Sequence, residues 1–353
     1  MARQAVRPTP LTARRLFPVV ALAIGLLAAI GLAESMLRLW VWIGVPASNG
    51  FIRFMKTAEG LPGRGRLFRP SGDPSLGIEC VPNSRRGHIR INSWGFRGDE
   101  VGERPAPGVV RIAMVGDSET FGAALPEEKT LPGCLAATLN AAKGPGRYEV
   151  LNLGVPGYNT RQELRVVETR LPRLHPDIVI LYYVLNDPEL SPRTVLLHGG
   201  GVRSLYVSLL ASYLSKARWP ADVADLRGQM STVDYYHYLH DSDYFETTRK
   251  LILEMAALLR RRGVRFVLVI APEVYGIRGF KRYPYRDIHE RLARLGSPDL
   301  EVVDPLDRLG AEGKRPRRYW VSPDDPHKNE DANRIIAAVV TEALLKAEKD
   351  PRP

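Results

Sequence analysis

Short apolar runs alternate with amphipathic stretches from residue 109 to residue 346. Val109–Val115 is a compact apolar run and predicts a strand, Leu131–Asn140 a helix, and Tyr148–Leu153 a second strand. Arg161–Leu174 is helix-like, with Pro172 near its end. Asp177–Leu185 (DIVILYYVL) is almost continuously apolar, the pattern of a strand buried on both faces. Phe245–Arg262 carries Leu251, Met255, Leu258 and Leu259 at helical spacing, and Val264–Ala271 predicts a further strand. Glu301–Val303 is a brief last strand. Glu330–Lys346 closes the pattern with a helix whose Ile335, Ile336, Val339, Val340 and Leu344 share one face. Strands alternating with helices predict an α/β fold with a parallel sheet covered on both sides.

Three stretches break this rhythm. Phe17–Ala33 is an uncharged apolar run behind Arg3, Arg7, Arg14 and Arg15, and it resumes after Glu34 and Ser35 through Trp40, Trp42 and Ile43. Crossing a bilayer takes about 20 residues. The basic flank comes first, so residues 1–15 read as a cytoplasmic tail and 16–43 as a single-pass transmembrane helix, with everything beyond outside the cytoplasm, in the periplasm or its equivalent. A cleaved signal peptide is the rival, since Gly31-Leu32-Ala33 offers small residues for cleavage; the Trp-bearing stretch beyond favours retention. Residues 44–108, rich in Gly, Pro and Arg, read as a linker and small irregular subdomain with strand-like pieces such as His88–Asn92. The main domain is expected over 109–346, with a tail at 347–353. Within it, 187–241 is an insertion with Leu205, Leu209, Leu210, Tyr213 and Leu214 at helical intervals. It reads as a lid, a bilayer contact or ordinary packing.

Composition narrows the classes. The 353 residues are 44% hydrophobic and 25% charged, which excludes wholesale disorder. The net charge of +11 raises nucleic acid as a partner. No zinc-finger spacing, RNP-like aromatic motif or helix-turn-helix supports it. The basic residues lie in separate patches (Arg64–Arg69, Arg260–Arg262, Lys314–Arg318) that read as solvated surface, or as a surface for anionic lipid or glycan. Cys80 and Cys134 fit neither a zinc site nor a redox pair, and one disulfide or two separate free thiols both remain open.

Sites in open parallel sheets form at the carboxyl ends of the strands. Gly116-Asp117-Ser118-Glu119-Thr120, Gly154-Val155-Pro156-Gly157 and Asn186-Asp187 each sit at such an end, and Asp324-Asp325-Pro326-His327 precedes the last helix. A serine needs a base to become a nucleophile, and the base needs a carboxylate to fix its tautomer. Ser118, His327 and Asp324 supply those parts. The backbone N–H groups of Ser118 and Gly154 and the amide of Asn186 supply donors for an oxyanion hole.

VGDSETFG (115–122), LNLGVPGYN (151–159), YYVLND (182–187) and DDPHKN (324–329) resemble, in order, the first, second, third and fifth conserved blocks of the SGNH (GDSL-like) hydrolase superfamily. INSWGFRGDE (91–100), behind a membrane segment, resembles a bacterial exported branch. The resemblance implies a flavodoxin-like three-layer α/β/α sandwich and a serine esterase acting through an acyl-enzyme on Ser118. It implies neither cofactor nor metal. Two departures stand out: Val184 replaces the glycine of the third block, and the charged Glu119 follows the nucleophile, bearing on substrate polarity. Asp325 is a neighbouring carboxylate, but the D-x-x-H spacing selects Asp324. An α/β-hydrolase would require G-x-S-x-G, which the sequence lacks.

The expected partners are an acyl ester substrate, an acetylated glycan or a lipid of the cell envelope, and the membrane itself. An O-acyltransferase acting on an envelope polysaccharide and a non-catalytic glycan-binding assembly subunit are the alternatives, and oligomeric state is left open. Among other candidates, His237, His240 and Asp243 read as a polar helix start rather than a metal site. Gly199-Gly200-Gly201 lacks the Lys-Ser/Thr of a phosphate loop, and His88, His175, His198 and His289 read as surface residues.

Overall fold

The computed structural model of the chain describes residues 11–43, 67–189, 230–313, 315–323 and 325–349. The chain divides into two units, residues 1–59 with 199–219 and residues 60–198 with 220–353. In the first unit, α1 (Leu11–Ile43) is one helix with Pro18 inside it. Its exposed Leu22, Ile24, Leu26, Leu27, Leu32 and Met36 fall on every side rather than on one stripe. Among the described residues no helix is long and apolar enough to cross a membrane. The side chains described in α1 are limited to 18, 20–22 and 24–36.

The second unit begins with two antiparallel ribbons, β1 (Phe68–Pro70) with β2 (Ile78–Cys80) and β3 (Arg85–Arg86) with β4 (Ile89–Arg90). The strand-like fragment at 88–92 is the second ribbon's return. A five-stranded parallel sheet follows: β5 (Val110–Gly116), β6 (Tyr148–Gly154), β7 (Ile178–Tyr183), β8 (Arg265–Ile270) and β9 (Glu301–Val303), in the order β6-β5-β7-β8-β9. This is the doubly wound, flavodoxin-like order, and the chain reverses direction across the sheet between β5 and β7.

The helices are α2 (Ser118–Phe121), α3 (Leu131–Lys143), α4 (Thr160–Thr169), α5 (Leu171–Leu174), α6 (Thr232–His240), α7 (Asp243–Arg261), α8 (Arg286–Ala293), α9 (Leu306–Glu312) and α10 (Glu330–Lys349) among the described residues. The single helix expected over 161–174 is two pieces. Its first part starts from a capping box of Asn159 and Gln162 and ends at Arg170. Pro172 cannot supply the N–H that a continuing helix would need, and a new turn starts instead.

Alternation along the strands builds the three layers. Ala113 and Val115, Val179, Leu181 and Tyr183, and Phe266, Leu268 and Ile270 join one apolar cluster with Leu164 of α4, Ile252 of α7 and Ile288 of α8. Ile112 and Met114, Ile178, Ile180 and Tyr182, and Val267 and Val269 join the other with Leu135 of α3 and Ile336 and Val340 of α10. A slip of one residue would exchange the two faces. Each large apolar side chain contributes about 1.5–3 kcal/mol on burial, so the register is strongly set.

Cys80 and Cys134 are both free and buried, and burial pushes their thiols up to about 12 and about 11. His289, expected on the surface, is only 1% exposed. Its Nδ1 lies 2.9 Å from Asp304 Oδ2 and its Nε2 3.3 Å from the Tyr283 hydroxyl, so both ring nitrogens are satisfied inside the core. His88 and His175 are exposed. His198, the triple glycine and the apolar positions 205–214 of the insertion lie outside the described residues.

Candidate active site

The carboxyl ends of β5, β6 and β7 and a separate hairpin bring the chemistry-bearing residues to one edge of the sheet. After Gly116, Asp117 caps the four-residue helix α2, its Oδ1 accepting from the Glu119 N–H at 2.9 Å. Ser118 is therefore the first residue of α2, where a backbone N–H has no intrahelical acceptor. Gly122 closes the helix at φ 67° and ψ 45°, donating to the Ser118 carbonyl at 2.9 Å. A single turn has little stability of its own, so its orientation comes from its surroundings.

Arg97 provides one hold. It is 2% exposed, and its Nη1 donates to the carbonyls of Phe121 and Gly122, both at 2.6 Å. Its Nη2 donates to the Leu125 carbonyl, and its Nε to Glu127 Oε2 at 2.6 Å. The guanidinium thus fastens the end of α2 to the N-terminal ribbon region. This residue lies inside INSWGFRGDE, yet its role is not legible there; the one signal is a cation beside Trp94 and Phe96.

Gly154 provides another. A Cβ there would come within 2.4 Å of the Phe121 nitrogen and 2.8 Å of Thr120, so only glycine lets β6 approach α2 this closely. Its N–H donates to Asn152 Oδ1 at 3.2 Å, so a developing oxyanion would compete with that acceptor. Asn186 lies in the turn after β7, where the Asp187 N–H donates to the Val184 carbonyl at 2.9 Å. The Asn186 Oδ1 is buried without a hydrogen-bond partner among the described residues. Val184 is itself buried in the apolar cluster beneath that turn.

His327 arrives on the hairpin of β10 (Trp320–Ser322) and β11 (Asp325–Lys328), a two-stranded sheet of its own. Its Nε2 is 2.9 Å from Ser118 Oγ, across 209 residues of sequence. Its Nδ1 is 2.6 Å from Asp325 Oδ1, which also accepts the His327 backbone N–H at 3.1 Å. The described carboxylate on the imidazole is therefore Asp325, which the motif spacing passed over. Asp324 lies outside the described residues.

Charge around this pair is unevenly solvated. The hydrogen bond that His327 donates to Asp325 is the largest influence on its imidazole; burial opposes it, Glu119 adds to it, and the imidazole is pushed up to about 9. The same hydrogen bond lowers the Asp325 carboxyl against the opposing effect of burial. Asp117 is raised by burial and then by the charge of Glu119. Glu163 and Asp187, each 1% exposed, are raised well above the carboxylate range by burial first and then by neighbouring carboxylates. Neither oxygen of Glu163 has a hydrogen-bond partner among the described residues.

The remaining sequence candidates serve structure. His240 is buried, its ring nitrogens 2.9 Å from the Tyr183 hydroxyl and 2.7 Å from the Tyr236 carbonyl. His237 lies against the Val233 carbonyl and Asp287. No metal-binding group of three or more His, Cys, Asp or Glu occurs among the described residues. A cavity between the ribbons and β6 is lined by Cys80, Trp94, Phe96, Leu153, Val155 and Tyr158; it includes neither Ser118 nor His327.

A profile of the GDSL-like lipase/acylhydrolase family matches residues 114–335. No curated protein matches the sequence. Solved structures similar to this chain include a lipolytic protein of the G-D-S-L family from Desulfitobacterium hafniense, 13% identical, covering 66% of this chain and 98% of that one at a TM-score of 0.39. The psychrotrophic esterase EstA from Pseudoalteromonas sp. is 14% identical, covering 68% and 98% at 0.39. A two-domain esterase active on acetylated mannans is 18% identical, covering 69% of this chain and 51% of that one at 0.41.

Proposed function

Because the chain belongs to the GDSL-like lipase/acylhydrolase family, and is therefore a carboxylic ester hydrolase, we propose that it works through an acyl-enzyme on Ser118 with His327 as its base. The observation that carries this reading is the continuous contact from Ser118 Oγ through the imidazole to Asp325, 2.9 Å on one side and 2.6 Å on the other. In the neutral ring, Nδ1–H donates to Asp325, leaving Nε2 to accept the serine proton. Ser118 Oγ then attacks the ester carbonyl, and the protonated Nε2 returns its proton to the leaving alkoxide. Water, deprotonated by the same nitrogen, attacks the acyl-enzyme, and Nε2 returns that proton to Ser118 Oγ as the acid is released. The developing oxyanion falls to the Ser118 N–H, to the Asn186 amide and, once it displaces Asn152 Oδ1, to the Gly154 N–H. Asp325 holds the imidazole in this reading, and Asp324 is the alternative that its motif spacing implies.

The substrate class we favour is an acetylated glycan or lipid ester of the cell envelope. Support comes from α1, whose exposed apolar side chains on every side suit a lipid environment and whose start follows a basic tail. We propose that α1 anchors the chain with the hydrolase unit outside the cytoplasm. Membrane association surviving alkaline carbonate washing is the expected result, and release into the wash argues against it. A chain-length series of p-nitrophenyl esters, with Ser118→Ala as control, tests the chemistry. Hydrolysis that survives the substitution rules out the nucleophile. A preference for acetyl supports a glycan ester and a preference for long chains a lipid.

A further inference from the structure

Two ionisable residues that the reaction above does not use stand one position after each reacting side chain. Glu119 follows Ser118, and Lys328 follows His327. The sequence suggests that Glu119 tunes substrate polarity. Instead its side chain is 13% exposed and engaged inward. Its Oε1 accepts from Lys328 Nζ at 3.1 Å and its Oε2 from the Lys328 backbone N–H at 3.2 Å. The Lys328 side chain is 2% exposed, with Nζ 5.9 Å from the centre of the Tyr182 ring.

This carboxylate spans the same gap as the Ser118–His327 contact, across the same 209 residues. It grips main chain as well as side chain, so it fixes the strand carrying His327 and not merely a mobile ammonium. Among the described residues the hairpin has no hydrogen-bonded strand of the large sheet beside it. The bonds that tie β11 to α2 among the described residues are those of His327 to Ser118 and of Lys328 to Glu119. Resting on the assignment of Ser118 and His327 as the reacting pair, we propose that Glu119, through Lys328, is a positioning residue that sets the imidazole against the serine hydroxyl.

A buried ion pair is a poor source of net stability, because desolvating both charges offsets their attraction. Losing one partner is costly, while losing both together is close to neutral. That asymmetry separates positioning from structure. Glu119→Gln and Lys328→Met singly are expected to lower the melting temperature. The double variant Glu119→Gln/Lys328→Met removes both charges and is expected to recover most of that loss. Its kcat for p-nitrophenyl acetate is nevertheless expected to stay at least about tenfold below wild type, with KM within about twofold, because misplacement near 1 Å is worth about a hundredfold. A double variant with wild-type kcat would overturn the proposal. Ser118→Ala is assayed alongside: full ester hydrolysis by that variant would remove the underlying assignment, whereas its inactivity beside a fully active double variant would remove the positioning role alone.

Discussion

Two irregular segments outside the five-stranded sheet reach α2, the helix that begins at Ser118, one from each end of the hydrolase unit, and they hold it by different means. The N-terminal ribbons hold the end of α2 through Arg97, a cation buried against carbonyl oxygens and Glu127. The C-terminal hairpin meets its beginning through His327 and Lys328. A guanidinium keeps its charge across the whole working range of pH. An imidazole does not. One hold is therefore constant, and the other titrates within the range in which the enzyme would operate.

Removing the titrating hold should have the largest effect. His327→Ala is expected to lower kcat/KM for p-nitrophenyl acetate by about 10³–10⁴-fold, since general acid–base catalysis is worth up to that amount. Removing the constant hold should act on stability first. Arg97→Met leaves three carbonyls and Glu127 without their donor, and is expected to cost about 3–5 kcal/mol of stability by urea denaturation. The folded fraction of that variant should retain the wild-type pH profile. An altered profile with unchanged stability would reverse the division of labour.

The pH profile itself sharpens the contrast. With the imidazole raised to about 9, its neutral form and hence kcat/KM should rise about tenfold per pH unit through neutrality and level off near that value. Stability runs the other way. The His327 contribution is complete below the unfolded value near 6.5 and is lost as pH rises through about 9. Activity should therefore increase over a window in which the hairpin's anchorage weakens. Asp325→Asn should shift the activity midpoint to lower pH; an unmoved midpoint would transfer the orienting role to Asp324.

The smallest effect expected lies beneath both holds. Glu163 is raised well above the carboxylate range, so the folded state retains a proton that the unfolded chain releases above about 4.5. Stability from this group falls as pH rises from that value. Glu163→Gln should thus raise the melting temperature at pH 8 and leave it nearly unchanged at pH 4. Equal shifts at both would show that the folded carboxyl ionises as it does in the unfolded chain.

These regions also differ in how openly the sequence states them. The sheet is legible because apolar alternation follows directly from which face each residue covers: Val110–Gly116, Tyr148–Gly154 and Glu301–Val303 fall within a residue of the expected runs. The Ser118–His327 contact is legible because a serine hydroxyl needs a base within hydrogen-bond reach. Arg97 is not, since hydropathy assigns arginine to the surface and says nothing of the carbonyls that converge on it. His289 fails for the same reason, its burial depending on Asp304 and Tyr283 from other elements. The contact of Asp325 with His327 is not legible either, since the D-x-x-H spacing points to Asp324, which lies outside the described residues. Glu119 is visible as a departure, but its partner is visible only once the hairpin has folded.

The serine and histidine lie 209 residues apart, one just after β5 and the other within β11. Closing so long a loop adds little to its equilibrium cost, which grows only with the logarithm of length, but contacts of this range form late. Ester hydrolysis by this chain is therefore a readout of complete folding. During denaturation it should fade with the local release of the hairpin, before the sheet's circular-dichroism signal does.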